Sequence, residues 1–207
     1  ASKAAEAAQV FVRLAQVLGQ KYDQVVSNPT YMGTKGMSPV LKSSVDQKYK
    51  NGKADLFASF ILRGFDWLHA SGFNAMVTMQ SWMFLSSYEE MRVELLQNRT
   101  LNTMAHLGSR AFGQISGDVV QTTAFSFMKN AIPDYKPTFF RLINGIEDEK
   151  KQALSKKQYK HDRTKQIDFQ KIPGNPIAYW IPITSTFDNN KLSHKWKSGG
   201  RIKTNNG

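Results

Sequence analysis

Apolar residues recur at helical spacing at Val10, Phe11, Leu14 and Leu18 within an alanine-rich stretch, which predicts an amphipathic helix over residues 3–18 that ends near Gly19. A short apolar strand is expected next over Tyr22–Ser27, followed by a polar loop containing Gly and Pro. At roughly a dozen residues that loop is long enough to be functional rather than merely connecting. Residues 38–49 predict a helix and 54–68 a stronger one, with Leu56, Phe57, Phe60, Ile61 and Leu68 on a broad apolar face. Gly72 punctuates the chain, and Phe73–Met79 read as a buried strand. Ser86 and Ser87 are placed to cap a helix over 88–97, whose first turn holds Glu89 and Glu90 where the helix dipole favours acids. Further strands are expected at Thr103–Leu107 and Val119–Met128, separated by the glycine-bearing loop 108–117. Alternation of helices and strands in this way is the pattern of an α/β sheet.

The carboxyl third reads differently. Residues 137–143 suit an added edge strand, 147–157 a charged surface helix, and 169–182 a proline-rich connector whose aromatics pin it onto a domain face. The organisation expected is a main unit over 1–145, a charged helix and connector over 146–182, and a polar stub over 183–207 that is poorly ordered on its own.

Composition narrows the chemistry. A chain of 207 residues with 41% hydrophobic content buries one sizeable core. The absence of cysteine excludes disulfides and thiolate metal sites, and His69, His106, His161 and His194 lack ligand spacing, so no metal is expected. No apolar run approaches the ~20 residues that span a bilayer, and the amino end lacks the order of a signal peptide, so a cytoplasmic protein without a membrane partner is expected. The net charge of +12 is concentrated late: from Ala131 onward 15 Lys and Arg face 7 Asp and Glu. Lys150, Lys151, Lys156, Lys157, Lys160, Arg163 and Lys165, then Lys195, Lys197, Arg201 and Lys203, are candidates to neutralise phosphates. For any one of these lysines a solvated helix face is an equal alternative.

The segment with the clearest chemistry is Val25-Val26-Ser27-Asn28-Pro29-Thr30-Tyr31, an apolar strand that runs into Asn-Pro-x-Tyr. An enzyme that modifies an exocyclic amine must take the base out of the stack, hold its polar edge and clamp its ring face. The Asn28 amide and the Pro29 carbonyl offer acceptors for amine hydrogens, and Tyr31 offers a stacking surface. Proline also biases Asn28 toward extended backbone at the strand's carboxyl end, where open α/β sheets bind ligands. Read alone, the four residues equally describe an Asn-Pro turn closing a strand, with Tyr31 packed as an ordinary aromatic.

The longer run carries a resemblance. Asn28-Pro29-Thr30-Tyr31 resembles the Asn-Pro-Pro-Tyr target-base motif of DNA amino-methyltransferases. Together with Met32–Met37, Lys53–Gly64, Ala75–Leu85 and Arg110–Gly117, it makes residues 20–182 similar to the PglX-type adenine-specific methyltransferases of BREX phage-defence systems. The resemblance implies the second half of a Rossmann-like class I methyltransferase sheet, ending in an antiparallel hairpin, with a basic carboxyl extension. It implies methyl transfer from S-adenosylmethionine to an extruded adenine of double-stranded DNA. Asn28, Pro29 and Tyr31 match the residues that hold and stack on the base, Phe112 lies in the loop that approaches it from the other side, and Asp55 and Phe57 fall in the segment bordering the cofactor adenine. A core role is the alternative for Phe112, and more so for Phe57.

Two departures shape the expectation. Thr30 stands where the second proline is usual, losing ring rigidity in the loop. No glycine-rich donor loop precedes Asn28, so the chain is expected to be a fragment that is inactive alone and that seeks partners, a second copy included, through exposed sheet surfaces. A non-catalytic nucleic-acid-binding protein that uses basic and aromatic residues is the alternative function.

Overall fold

The computed structural model describes residues 3–112 and 120–181. Its strands are β1 (Tyr22–Ser27), β2 (Leu68–Met79), β3 (Thr100–Gly108), β4 (Thr122–Met128), β5 (Thr138–Arg141) and the two-residue β6 (Lys160–His161). They form a sheet in the order β1-β2-β4-β3-β5-β6. β1 and β2 run parallel, β4 lies antiparallel between β2 and β3, and β3 and β5 run parallel. This is the α/β sheet with an antiparallel β3–β4 hairpin that the sequence predicts, extended by β5 and β6.

The pleat sorts side chains to two faces. On one, Asn74, Met76 and Thr78 of β2 lie opposite Phe127, Phe125 and Thr123 of β4, and Met104 and Phe139 continue the row. Helices α2 (Pro39–Lys48), α3 (Leu56–Asp66) and α4 (Glu89–Asn98) belong to this side, and Phe57, Ile61, Phe65, Met91 and Leu95 join those strands in one core cluster. The β2–α3 contact is very close, since a Cβ on Gly64 would meet the Asn74 amide within 2.8 Å. On the opposite face a small cluster of Ala105, Leu142 and Ala153 seats α5 (Glu147–Ser155).

α1 (Lys3–Gly19) forms as predicted but buries no residue; Phe11 is 70% exposed. Its end is tied down, with the Trp67 indole donating to the Leu18 carbonyl at 3.1 Å and the Tyr22 hydroxyl to that of Val17 at 2.7 Å.

Three expectations change in detail. α3 ends at Asp66 and β2 begins at Leu68, so Gly72 lies within the strand. The β1–β2 register jumps there, and a Cβ on Gly72 would meet the Asp23 carbonyl at 2.9 Å. Ser86 and Ser87 do not cap α4; they open a short 3₁₀ turn, Ser86–Tyr88, that precedes it. The stretch after α5 is held more deeply than a connector pinned on a face: β6 pairs with β5, and Phe169, Ile177 and Tyr179 enter the main core. The expected stub at 183–207 lies outside the described residues.

Candidate functional site

The ends of three strands converge. Ser27 pairs with Met76, Met79 with Thr122, and Gly108 with Thr122. Asn28–Tyr31, Gln80–Phe84 and Ser109–Phe112 therefore leave the sheet at one edge, the carboxyl end of β1, β2 and β3.

At that edge Asn28 is exposed, and its side-chain amide makes no hydrogen bond among the described residues. Pro29 is buried and fixes the exit of the strand. Tyr31 is half-buried and meets Phe57 edge-on, with centroids 6.0 Å apart at 83°, while Phe57 in turn contacts Tyr88 at 5.8 Å. Burial, and next the Asp55 carboxylate, hold the Tyr31 phenol above its usual pKa, so it stays neutral.

Asp55 and Phe57, which the resemblance sets beside the cofactor adenine, hold the Tyr31 loop in this structure. Asp55 caps α3 by accepting from the Phe57 N–H at 3.3 Å, and the same oxygen accepts from the Met32 N–H at 2.8 Å. The Leu56 N–H donates back to the Met32 carbonyl at 2.9 Å, so the segment after Tyr31 is stapled to the start of α3. Phe57 is 0% exposed and props Tyr31 from beneath, which leaves it no surface for a cofactor.

Phe112 is 38% exposed at the same edge. The rest of its predicted loop, 113–117, lies outside the described residues. Beside the Tyr31 loop lies a groove of about 1190 Å³ lined by Lys42, Lys50 and Lys53, but Asp46, Glu89 and Glu90 share it and offset their charge.

The expected phosphate contacts divide. Lys150 is not available: it is 4% exposed and donates to the Leu107 and Ser109 carbonyls, bracing the exit of β3 from α5. Lys151, Lys160 and Lys165 pair with Glu147, Asp162 and Asp134. Lys156, Lys157 and Arg163 are exposed without an ion pair among the described residues. The later basic residues lie outside the described residues.

Sequence reasoning missed a buried polar group at this edge. His106, 5% exposed, lies between Gln80 and Tyr179, with Phe84 and Trp180 at ring distances of 5.9 and 6.0 Å. Burial first, then Arg141 and Lys150, push its pKa down to about 4, so the ring is neutral at pH 7. Its place two residues after Met104, on the same face of a buried strand, was the available signal. Nearby, Arg92 is buried and its guanidinium donates to the carbonyls of Trp82, Leu85 and Gly174, which ties the segment after β2 to the chain beyond Lys171.

The chain is 53% identical over 173 residues to the adenine-specific methyltransferase BrxX of Escherichia coli O9:H4 (strain HS), and 40% identical over 175 residues to the adenine-specific methyltransferase PglX of Lacticaseibacillus casei (strain Zhang). These matches cover 84% and 82% of this chain and 14% of each relative, so the chain spans a small part of their length. Among solved structures, a component of a type I restriction-modification system superposes with a TM-score of 0.58 at 17% identity, over 89% of this chain and 42% of that one. The nuclease-deletion mutant of the type ISP enzyme LlaGI, solved with a DNA substrate mimic, gives 0.54 at 18% identity over 70% and 17%. Both show a shared fold. Residues 1–112 match the model of the Eco57I restriction-modification methylase, and with the strand order and the Asn-Pro-x-Tyr edge in place, the chain belongs to that methylase family.

Proposed function

We propose that this chain is the base-binding half of the catalytic domain of an adenine-N6 DNA methyltransferase, serving phage defence or restriction-modification. The observation that carries the reading is the exposed, uncommitted Asn28 amide at the carboxyl end of β1, next to a Tyr31 ring that Phe57 and Asp55 hold in place. The Asn28 oxygen and the Pro29 carbonyl accept the two hydrogens of the adenine amine, aiming its lone pair outward. Tyr31 stacks on the ring. Orientation of this kind supplies much of a rate enhancement without a strong base. The double-stranded DNA is held by phosphate contacts, to which Lys156, Lys157 and Arg163 contribute from the described residues.

S-adenosylmethionine is the methyl donor that the family implies. Among the described residues Phe57 is fully buried, and Asp55 Oδ1 already accepts from the Met32 and Phe57 N–H groups, which leaves only Asp55 Oδ2 of that pair without a partner. Donor binding belongs to other parts of a full-length enzyme, and this chain alone is expected to show no donor binding in calorimetry.

The test is methylation of a cognate duplex by a full-length enzyme carrying this chain. Asn28→Ala should lower turnover by a factor of at least about 1000 while duplex affinity stays within about twofold, because phosphate contacts dominate binding. Wild-type turnover in that variant would make Asn-Pro-x-Tyr an ordinary turn.

A further inference from the structure

A second polar constellation at the same edge has no part in holding the amine. Gln80 is the first residue beyond β2, and Gln121 the last before β4. The Gln80 backbone N–H donates to the Gln121 carbonyl at 2.9 Å, and the Gln80 Nε2 donates to Gln121 Oε1. Gln80 Oε1 lies 2.7 Å from His106 Nε2, and His106 Nδ1 lies 3.1 Å from the Tyr179 hydroxyl. With its Nε2 spent as a donor, the Gln80 amide presents oxygen to the ring, so His106 carries its proton on Nε2. Nδ1 then accepts from Tyr179. Donors thus run in one direction, from the Tyr179 hydroxyl through His106 and Gln80 to Gln121.

The chain of bonds ends at an exposed side chain. Gln121 accepts on its oxygen, while its own Nε2 hydrogens have no partner among the described residues. A surface glutamine ordinarily samples several rotamers, and holding one still costs conformational entropy. Here the hold is rooted in two buried groups, His106 at 5% and Tyr179 at 3% exposure, the latter stacked on Phe139 at 4.2 Å and 4°. The result is a donor of fixed direction at the edge from which Asn28, Tyr31 and Phe112 also emerge. An unmethylated adenine offers unprotonated ring nitrogens as acceptors for such a donor.

We propose that Gln121 donates an amide hydrogen to a ring nitrogen of the extruded adenine, and that Gln80, His106 and Tyr179 are positioning residues that aim it. The proposal rests on the base-binding reading of Asn28 and Tyr31. Because Tyr179 belongs to the stretch beyond Lys171, the seat of that stretch on the core sets the aim of the base reader.

The experiment is steady-state methylation by a full-length enzyme carrying this chain, on duplexes whose target base is adenine or its 1-deaza, 3-deaza or 7-deaza analogue. Wild type should lose roughly tenfold in kcat/KM on one analogue, the worth of one hydrogen bond in a closed site. Gln121→Leu should lose roughly that factor on adenine and treat that analogue no worse than adenine. Tyr179→Phe keeps the ring stack and removes only the hydroxyl, so it should narrow the discrimination with little change in melting temperature. A Tyr179→Phe enzyme that discriminates as wild type does would overturn the positioning role. Equal discrimination by wild type and Gln121→Leu, or none in wild type, would overturn the base contact. Asn28→Ala run in parallel separates the two levels: if it is inactive while Gln121→Leu is normal, the base-binding reading stands and only this inference fails.

Discussion

Beneath the β5 end of the sheet a set of aromatic and polar side chains is sealed, whereas at the β1 end apolar side chains face outward. Phe139 stacks on Tyr179 and meets Phe169 edge-on at 5.9 Å. Gln166 accepts from the Leu101 N–H at 2.7 Å and donates to the Leu96 and Arg99 carbonyls, closing the ends of α4 and β3. At the other end Val26 is 76% exposed on an edge strand, and α1 shows Val10, Phe11 and Leu14 to solvent. The two ends divide the labour of the site. The sealed end gives a rigid wall from which Gln80 is aimed through His106 and Tyr179, and the open end leaves Asn28 accessible.

If that division is right, damage at the sealed end should appear as lost stability. The largest effect is expected for Arg92→Met, which strips a buried cation from the Trp82, Leu85 and Gly174 carbonyls; Leu85 keeps the Tyr88 N–H, while Trp82 and Gly174 lose their donor. A loss of about 4 kcal/mol is expected in urea unfolding, in the range for breaking a buried charged network. Loss under about 1 kcal/mol would mean that the stretch around Gly174 is not held as described.

Acid probes the same wall through His106. Its folded pKa of about 4 lies below the unfolded 6.5, so between those values the unfolded chain binds more protons. Stability from this group is complete above about pH 6.5 and is lost as pH falls toward 4, by about 3 kcal/mol in all. Unfolding free energies measured from pH 7 to 4 should show this slope, and His106→Gln should flatten it.

The comparison also explains what could be read from the chain. β1 was predicted at its observed bounds, because Val25 and Val26 give a local apolar signal and Asn28-Pro29 a local stop. The Asn-Pro-x-Tyr motif is equally local, four consecutive residues. Phe57 could not be assigned, since the same apolar spacing describes a core ring and a ligand wall, and only its burial decides. The Gln80–His106–Tyr179 chain joins residues 26 and 73 positions apart, so no window along the sequence contains it. Lys150 misled for a related reason: a lysine between charged neighbours reads as solvated, yet two carbonyls at the end of β3 draw it inward. α1 was legible as a helix, while what its apolar face meets was not.

At the open end, effects on function should exceed effects on stability. Tyr31→Ala should weaken capture of the extruded base by roughly 1 to 3 kcal/mol, the usual worth of base–aromatic stacking, and Tyr31→Phe should be mild. Fluorescence of 2-aminopurine at the target position reports that capture directly. Should Tyr31→Ala lower the melting temperature as much as Arg92→Met while leaving the fluorescence unchanged, Tyr31 is a core residue and the two ends do not differ in kind.

The smallest change in stability, and the sharpest probe of the open end, is expected for Phe11→Glu. Phe11 is 70% exposed and α1 buries no residue, so little is lost by replacing it, less than about 0.5 kcal/mol. Helix propensity is not the concern either, since Glu ranks above Phe. What should change is association. An apolar stripe of Val10, Phe11, Leu14, Val17 and Leu18 is a surface that gains by meeting its like, and a charge within it opposes that. Light scattering of this chain should show mass rising with concentration, and Phe11→Glu should suppress the rise while the urea midpoint stays put. A wild-type chain that remains monomeric across concentrations would show that the open end tolerates water as it stands. The contrast between the two ends would then lie in access to Asn28 and not in any demand for a partner.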